Sequence, residues 1–110
     1  LTIIATVSAQ PESQLDSALL GELEGVEYMQ LRLSGDAADR RVFPAIDLAR
    51  SSTRNEALLT SEAEARVMNR VRRNPKGESQ IDQLEQLLRG LESTSSNVEY
   101  LAVTQRQLDA

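Results

Sequence analysis

Apolar spacing divides this chain into two kinds of structure. Before residue 50, apart from one helical stripe at Leu15, Ala18, Leu19 and Leu23, the apolar residues either run on continuously, as in Thr2-Ile3-Ile4-Ala5-Thr6-Val7, or alternate, as in Met29, Leu31 and Leu33. Both patterns belong to strands. After residue 60 they recur every three or four residues, which is the spacing of one helix face. Ala63, Val67 and Val71 make one such stripe, and Ile81, Leu84, Leu88 and Leu91 make the next. Val98, Leu101, Ala102 and Leu108 make the third. Two Ser-x-x-Glu boxes, Ser61 with Glu64 and Ser96 with Glu99, predict where the first and third helices begin. The expected class is therefore α/β, with strands in residues 1–59 and a helical portion in 60–110.

Within the first part, Thr2 to Val7 reads as a strand buried on both faces. Ser8 to Glu12, with Pro11, reads as a loop. Ser13 is placed to cap a short helix through about Leu23, with Leu15, Ala18, Leu19 and Leu23 on one face and Gly25 ending it. Val26 to Leu33 reads as a strand with one polar face. Ser34-Gly35-Asp36 reads as a turn. Val42 to Leu48 reads as a further strand, with Pro44 at an edge, bulge or end because it has no ladder donor. Arg50 to Glu56 reads as a polar loop, and Asn74-Pro75-Lys76-Gly77 as a helix break.

Composition excludes several chemistries. The 110 residues contain no Cys and no His, so thiol nucleophiles, disulfides, imidazole bases and the usual zinc sites are out of reach. With no Trp, and Tyr28, Phe43 and Tyr100 as the only aromatics, there is no stacking platform for nucleic acid. No apolar run approaches the roughly 20 residues that span a bilayer. The opening Leu1-Thr2-Ile3-Ile4 has no initiator Met, basic leader or cleavage site, so these residues are expected to hold no signal peptide and to be a piece of a longer protein.

The net charge of −5 is unevenly spread. Residues 1–31 hold five acids and no base, while residues 32–73 hold nine Arg against six acids. An Arg-rich centre suits a phosphate-bearing ligand or an acidic neighbour, since guanidinium forks meet phosphate bidentately. It equally suits a solvated, Arg-biased surface. No glycine loop of the Walker type is present. Asp16 and Asp47 are carboxylates that could do acid–base work, or serve as caps or ion-pair partners. The suggestive cluster is Arg40-Arg41-Val42-Phe43-Pro44-Ala45-Ile46-Asp47 with Arg54 after it. Phe43 is either a core residue or an exposed ring for a base, and Arg54 either a surface charge or a phosphate contact.

At these residues the sequence resembles the Rho family of hexameric, RNA-translocating ATPases of bacteria. The resemblance runs along essentially the whole chain. It is most specific at Arg41-Val42-Phe43-Pro44-Ala45-Ile46-Asp47, Arg50-Ser51-Ser52-Thr53-Arg54 and Glu56-Ala57-Leu58-Leu59. It implies the C-terminal portion of a RecA-like P-loop ATPase fold, a few strands plus about three helices, truncated before the Walker motifs. It implies that Phe43 packs on the adenine of ATP and that Arg54 is an arginine finger toward a neighbouring subunit's phosphates. It places Arg41 near the nucleotide or the subunit interface. The family's channel loop carries a lysine to RNA; residues 11–16 here hold none, which leaves Gln14 as the polar side chain for that contact. Ser52 stands where the family has glycine.

The implied setting is an RNA-dependent ATPase and helicase that terminates transcription, cytoplasmic and homohexameric. ATP and Mg²⁺ are its cofactors, with the Mg²⁺ ligands outside these residues, and RNA and RNA polymerase are its partners. The 110 residues alone are expected to be inactive, and to self-associate, if at all, through a sheet edge at Leu1–Val7. The alternatives are a non-catalytic interaction domain, whose last two helices bind a partner, and the equivalent piece of another RecA-like ring ATPase.

Overall fold

The structure, a computed structural model, describes residues 1–10, 12–73 and 78–110. Five helices dominate: α1 (Gln14–Leu23), the short α2 (Gly35–Asp39), α3 (Glu62–Arg73), α4 (Gln80–Glu92) and α5 (Asn97–Asp109). Two strands of two residues each, β1 (Met29–Gln30) and β2 (Ser52–Thr53), pair antiparallel, with Met29 opposite Thr53 and Gln30 opposite Ser52. A 3-10 turn covers Glu56–Leu58. The chain is thus mixed helix with a small sheet. The breaks expected at Pro11 and at Asn74–Gly77 lie outside the described residues.

The helical half follows its sequence signals. Ser61 Oγ accepts from the Glu64 N–H at 3.3 Å, and the Ser61 N–H donates back to Glu64 Oε2 at 2.7 Å. Both halves of that capping box are formed. At α5 the box is modified: Ser96 Oγ accepts from the Glu99 N–H, but the Glu99 carboxylate accepts from the N–H and hydroxyl of Ser95. Backbone and side-chain hydrogen bonds from Ser61 hold the Glu64 carboxyl below its ordinary value of 4.5. Those from Ser95, hydroxyl first, do the same for Glu99. A carboxyl depressed in the folded state contributes stability above its unfolded pKa and loses it as pH falls through the folded value. Helix content at α3 and α5 is therefore expected to drop as pH falls below about 4.5. Circular dichroism of Glu64→Gln should show a flatter acid limb than wild type; an unchanged limb would mean the box does not contribute.

The strand expected at Thr2–Val7 does not form. Residues 1–10 have no regular structure, and Ile3 and Ile4 are exposed. A strand of this composition needs pairing partners and helices on both faces, and none of the described residues supplies them. The sheet edge proposed for self-association is accordingly absent from this structure. Val42–Leu48 is also not a regular strand. Only Ile46 pairs, in a single antiparallel bridge with Leu33. Pro44 has no N–H to offer a ladder.

Ser34 begins a short helix rather than a simple turn, its Oγ accepting from the Ala37 N–H. That helix ends in a Schellman motif. Arg41 is left-handed (φ 61°), its N–H donating to Ala38 O, while the Val42 N–H reaches Ala37 O. Glycine is the usual residue there, because a Cβ in that conformation costs about 1–2 kcal/mol. Arg41→Gly is expected to raise stability by up to about 1 kcal/mol after its cost in the unfolded chain. A urea midpoint at or below wild type would mean no strain is stored at Arg41.

The motif aims Val42 inward. Ala37, Val42 and Leu84 form the buried cluster, with Ala45, Ile46, Leu48, Ile81 and Leu88 packed around it. The α4 stripe therefore docks on α2 and the segment after it. Gln83 of α4 also donates to the Val71 carbonyl in the last turn of α3, satisfying a group the helix itself leaves open. Val67 of α3 is buried, and α5 packs on both α3 and α4. At the α4–α5 crossing Gly90 lets Tyr100 lie close, since a Cβ there would come within 2.7 Å of the ring and force it to shift. The α1 stripe, by contrast, buries nothing: Leu15, Leu19 and Leu23 are all exposed.

Candidate functional site

Residues 28–34 and 45–54 run antiparallel as one interrupted ladder. At one end Ser34 N–H donates to Ala45 O at 2.8 Å, followed by the Leu33–Ile46 bridge and Asp47 N–H to Arg32 O at 2.9 Å. At the other end are the β1–β2 pairs, followed by Arg54 N–H to Tyr28 O at 2.7 Å. Between the two stretches, residues 48–51 bulge out. Asp47 Oδ1 closes the bulge by accepting from the Ala49 and Arg50 N–H groups, both at 3.1 Å. Ser51 ties it back: its hydroxyl donates to Asp47 O at 2.7 Å and accepts from the Arg32 N–H at 3.0 Å. Such a bulge re-aims the chain beyond it.

This ladder carries the residues that the sequence singles out. Phe43 lies just beyond the Ser34–Ala45 end and is 61% exposed, so it is not a core residue. Arg41, two positions before it, is exposed as well. Arg54 lies at the opposite end. Its guanidinium donates to the Gly25 carbonyl just past α1, and the rest of the group is exposed. One donor of the five is thereby used, leaving the remainder of the fork for an anion. From Tyr28 to Ser34 an extended backbone covers roughly 20 Å. The ladder holds Phe43 and Arg54 on one frame but does not bring them together.

Gln14 is the first residue of α1 and is exposed, apart from the ladder residues in the sequence and unpaired with them. Asp16 and Asp47 are structural carboxylates. Asp16 Oδ2 accepts from Ser8 Oγ and the Gln10 N–H, each at 3.0 Å, and so holds the segment before α1. Asp47 shapes the bulge, with Arg50 beside it at 3.8 Å.

Two residues inside the stretches that carry the resemblance, Glu56 and Ser51, have structural roles that no local pattern predicts. Glu56, which opens the 3-10 turn after Arg54, takes a bidentate fork from Arg72 of α3, at 2.6 and 2.9 Å. Their separation by 16 positions matches no helix or strand period, so only the tertiary structure pairs them. Ser51 lies in a polar stretch of sequence, and its role depends on Arg32, which is 19 positions away.

The ladder thus presents an exposed ring near one end and an exposed planar cation at the other, on a backbone pinned by hydrogen bonds. Among the described residues no cluster of acidic side chains could hold a metal ion, and no helix is long and apolar enough to cross a membrane.

No protein-family model matches the chain. Individual relatives do. It is 41% identical to transcription termination factor Rho of Salmonella typhimurium, over 96% of this chain and 25% of that protein. It is 38% identical to Rho of Micrococcus luteus, over 96% of this chain and 15% of that protein. Rho of Rhodopirellula baltica is 36% identical, over 92% of this chain and 20% of that protein. The chain thus spans a quarter or less of the length of these relatives. Likeness at this level along nearly every residue, rather than at one motif, places the chain, as a partial-length sequence, in the transcription termination factor Rho family.

Proposed function

We propose that this chain is the C-terminal portion of a RecA-like motor domain and supplies two parts of two different ATP sites in a ring. Phe43 packs on the adenine of its own subunit's nucleotide, and Arg54 reaches the phosphates held by the neighbour. The observation that carries this reading is the placement of an exposed Phe43 and an exposed Arg54 at opposite ends of one ladder. Placed at opposite ends of the ladder, the ring and the guanidinium can each serve a different site. Arg41, exposed beside Phe43, lies toward the subunit interface. ATP with its Mg²⁺ supplies the phosphoryl group, and the cradle and metal ligands come from residues outside this chain.

The contribution of Arg54 is electrostatic. A guanidinium stays charged at any working pH, and its planar fork stabilises charge that grows on the transferred phosphoryl group. The whole protein, on this reading, is a cytoplasmic homohexamer that uses ATP to move along RNA and end transcription. Gln14 is the residue of this chain nearest in kind to an RNA contact. The 110 residues by themselves hydrolyse no ATP.

Mixed rings test the assignment. Wild-type subunits are combined with Arg54→Ala subunits in the full-length protein, and ATP turnover is followed as the ratio changes. If Arg54 acts in trans, each altered subunit silences its neighbour's site while its own site still turns over. Loss confined to the altered subunit's own site would end the reading.

A further inference from the structure

Three ion pairs occur among the described residues, and one differs in kind from the others. Arg50–Asp47 and Arg89–Glu85 are local pairs, three and four positions apart, with arginines 70% and 75% exposed. Arg72–Glu56 joins two separate elements, with side chains only 34% and 26% exposed. Its bidentate geometry fixes direction as well as distance. Partial burial also protects it from the screening that weakens surface pairs.

The turn it holds has little else to anchor it. The 3-10 turn Glu56–Leu58 buries no residue, and Leu58 and Leu59 face solvent at 83% and 72% exposure. Glu56 also receives the turn's own bonds, its carbonyl accepting from the Leu59 N–H at 2.9 Å and from Thr60 Oγ at 3.1 Å. Arg54, two positions earlier, is pinned on its other side by Tyr28 O. Asn55 between them is left-handed, so the link is a tight corner with no spare length.

We propose that Arg72 and Glu56 are positioning residues for Arg54: their fork ties the finger's loop to α3, so the helical half sets where the guanidinium is presented. This rests on the assignment of Arg54 as a phosphate-reaching finger. The tether starts from a helix that α5 packs against and that Gln83 of α4 closes at its C-terminal end. A shift of α3 against the ladder is thereby transmitted to Arg54 without either residue touching nucleotide.

The test uses the full-length protein. Arg72→Glu and Glu56→Arg are each expected to lower kcat for RNA-stimulated ATP hydrolysis about ten- to a hundredfold, the scale for a displaced catalytic group. KM for ATP should change little. The double reversal restores an opposite-charge pair and should recover most of the lost kcat, which a general loss of stability would not predict. Hydrogen exchange at the Arg54, Leu58 and Leu59 amides should speed up in both single variants and slow again in the double. Wild-type kcat and exchange in the single variants overturn the proposal, as does a double variant no better than either single. If the reversals do not fold, Arg72→Lys carries the test, because it keeps the charge but not the fork; unchanged kcat and exchange there overturn the proposal equally. If Arg54→Ala leaves kcat unaltered, the finger assignment fails, and the exchange data still decide separately whether the tether holds the loop.

Discussion

Arg54→Ala in the full-length protein is expected to lower RNA-stimulated ATP hydrolysis by roughly 10³–10⁵, the range over which arginine fingers act. Folding and RNA binding should stay close to wild type. Among the described residues the guanidinium bonds the Gly25 carbonyl, and that bond lies at an exposed site. The Arg54 N–H to Tyr28 bond, which belongs to the backbone, survives the substitution. Arg54→Lys should rescue poorly, because an ammonium keeps the charge but loses the planar fork. Steady-state kinetics at saturating RNA, with circular dichroism as a control, make the measurement. A change within the ~0.5 kcal/mol typical of surface substitutions would reduce Arg54 to an ordinary surface charge. It would also undercut the placement of Phe43, which comes from the same resemblance.

Leu84→Ala is expected to cost about 2–5 kcal/mol. Leu84 is 2% exposed and lies where α4 meets Ala37 and Val42. The buried cluster is small: among the described residues only Ala37, Val42, Val67 and Leu84 are buried hydrophobics. Domain stabilities span about 5–15 kcal/mol, and a core this small argues for the low end. A loss at the upper end of that range would then unfold much of the population at about 25 °C. Leu58→Ala is the internal comparison; that residue is 83% exposed, and its loss should fall within about 0.5 kcal/mol. Urea unfolding followed at the helix band reads both. A Leu84→Ala midpoint indistinguishable from that of Leu58→Ala would mean that α4 is not what holds the two halves together.

The helices were legible because their signals are local. A serine that caps and a glutamate three residues on act within one turn, as at Ser61 and Glu64, and need nothing from the rest of the chain. The α1 cap at Ser13 and the left-handed Gly25 that follows α1 are of the same kind. The strands were less legible because strand pairing is not local. Thr2–Val7 has the composition of a buried strand, but composition cannot provide a neighbour, and none of the described residues pairs with it. Met29, Leu31 and Leu33 alternate as expected for one apolar face, yet all three are exposed, while Gln30 and Arg32 are half-buried. Alternation fixes which residues share a face, not which face is covered.

Sequence alone determined the class of chain, the helical half and the family, and it singled out Arg41, Phe43 and Arg54 by type and order. These follow from side-chain chemistry, from periods of a few residues, and from a long ordered resemblance. Only the tertiary structure decided that Phe43 and Arg54 stand at opposite ends of one ladder, that Asp47 and Ser51 build the bulge between them, and that Arg72 holds the corner after Arg54. Each of those depends on contacts between residues well separated in the chain, such as Ser51 with Arg32 and Arg72 with Glu56. Nothing in local spacing encodes them, because a hydrogen bond or an ion pair needs its partner within about 3 Å, and only the fold brings the partner there.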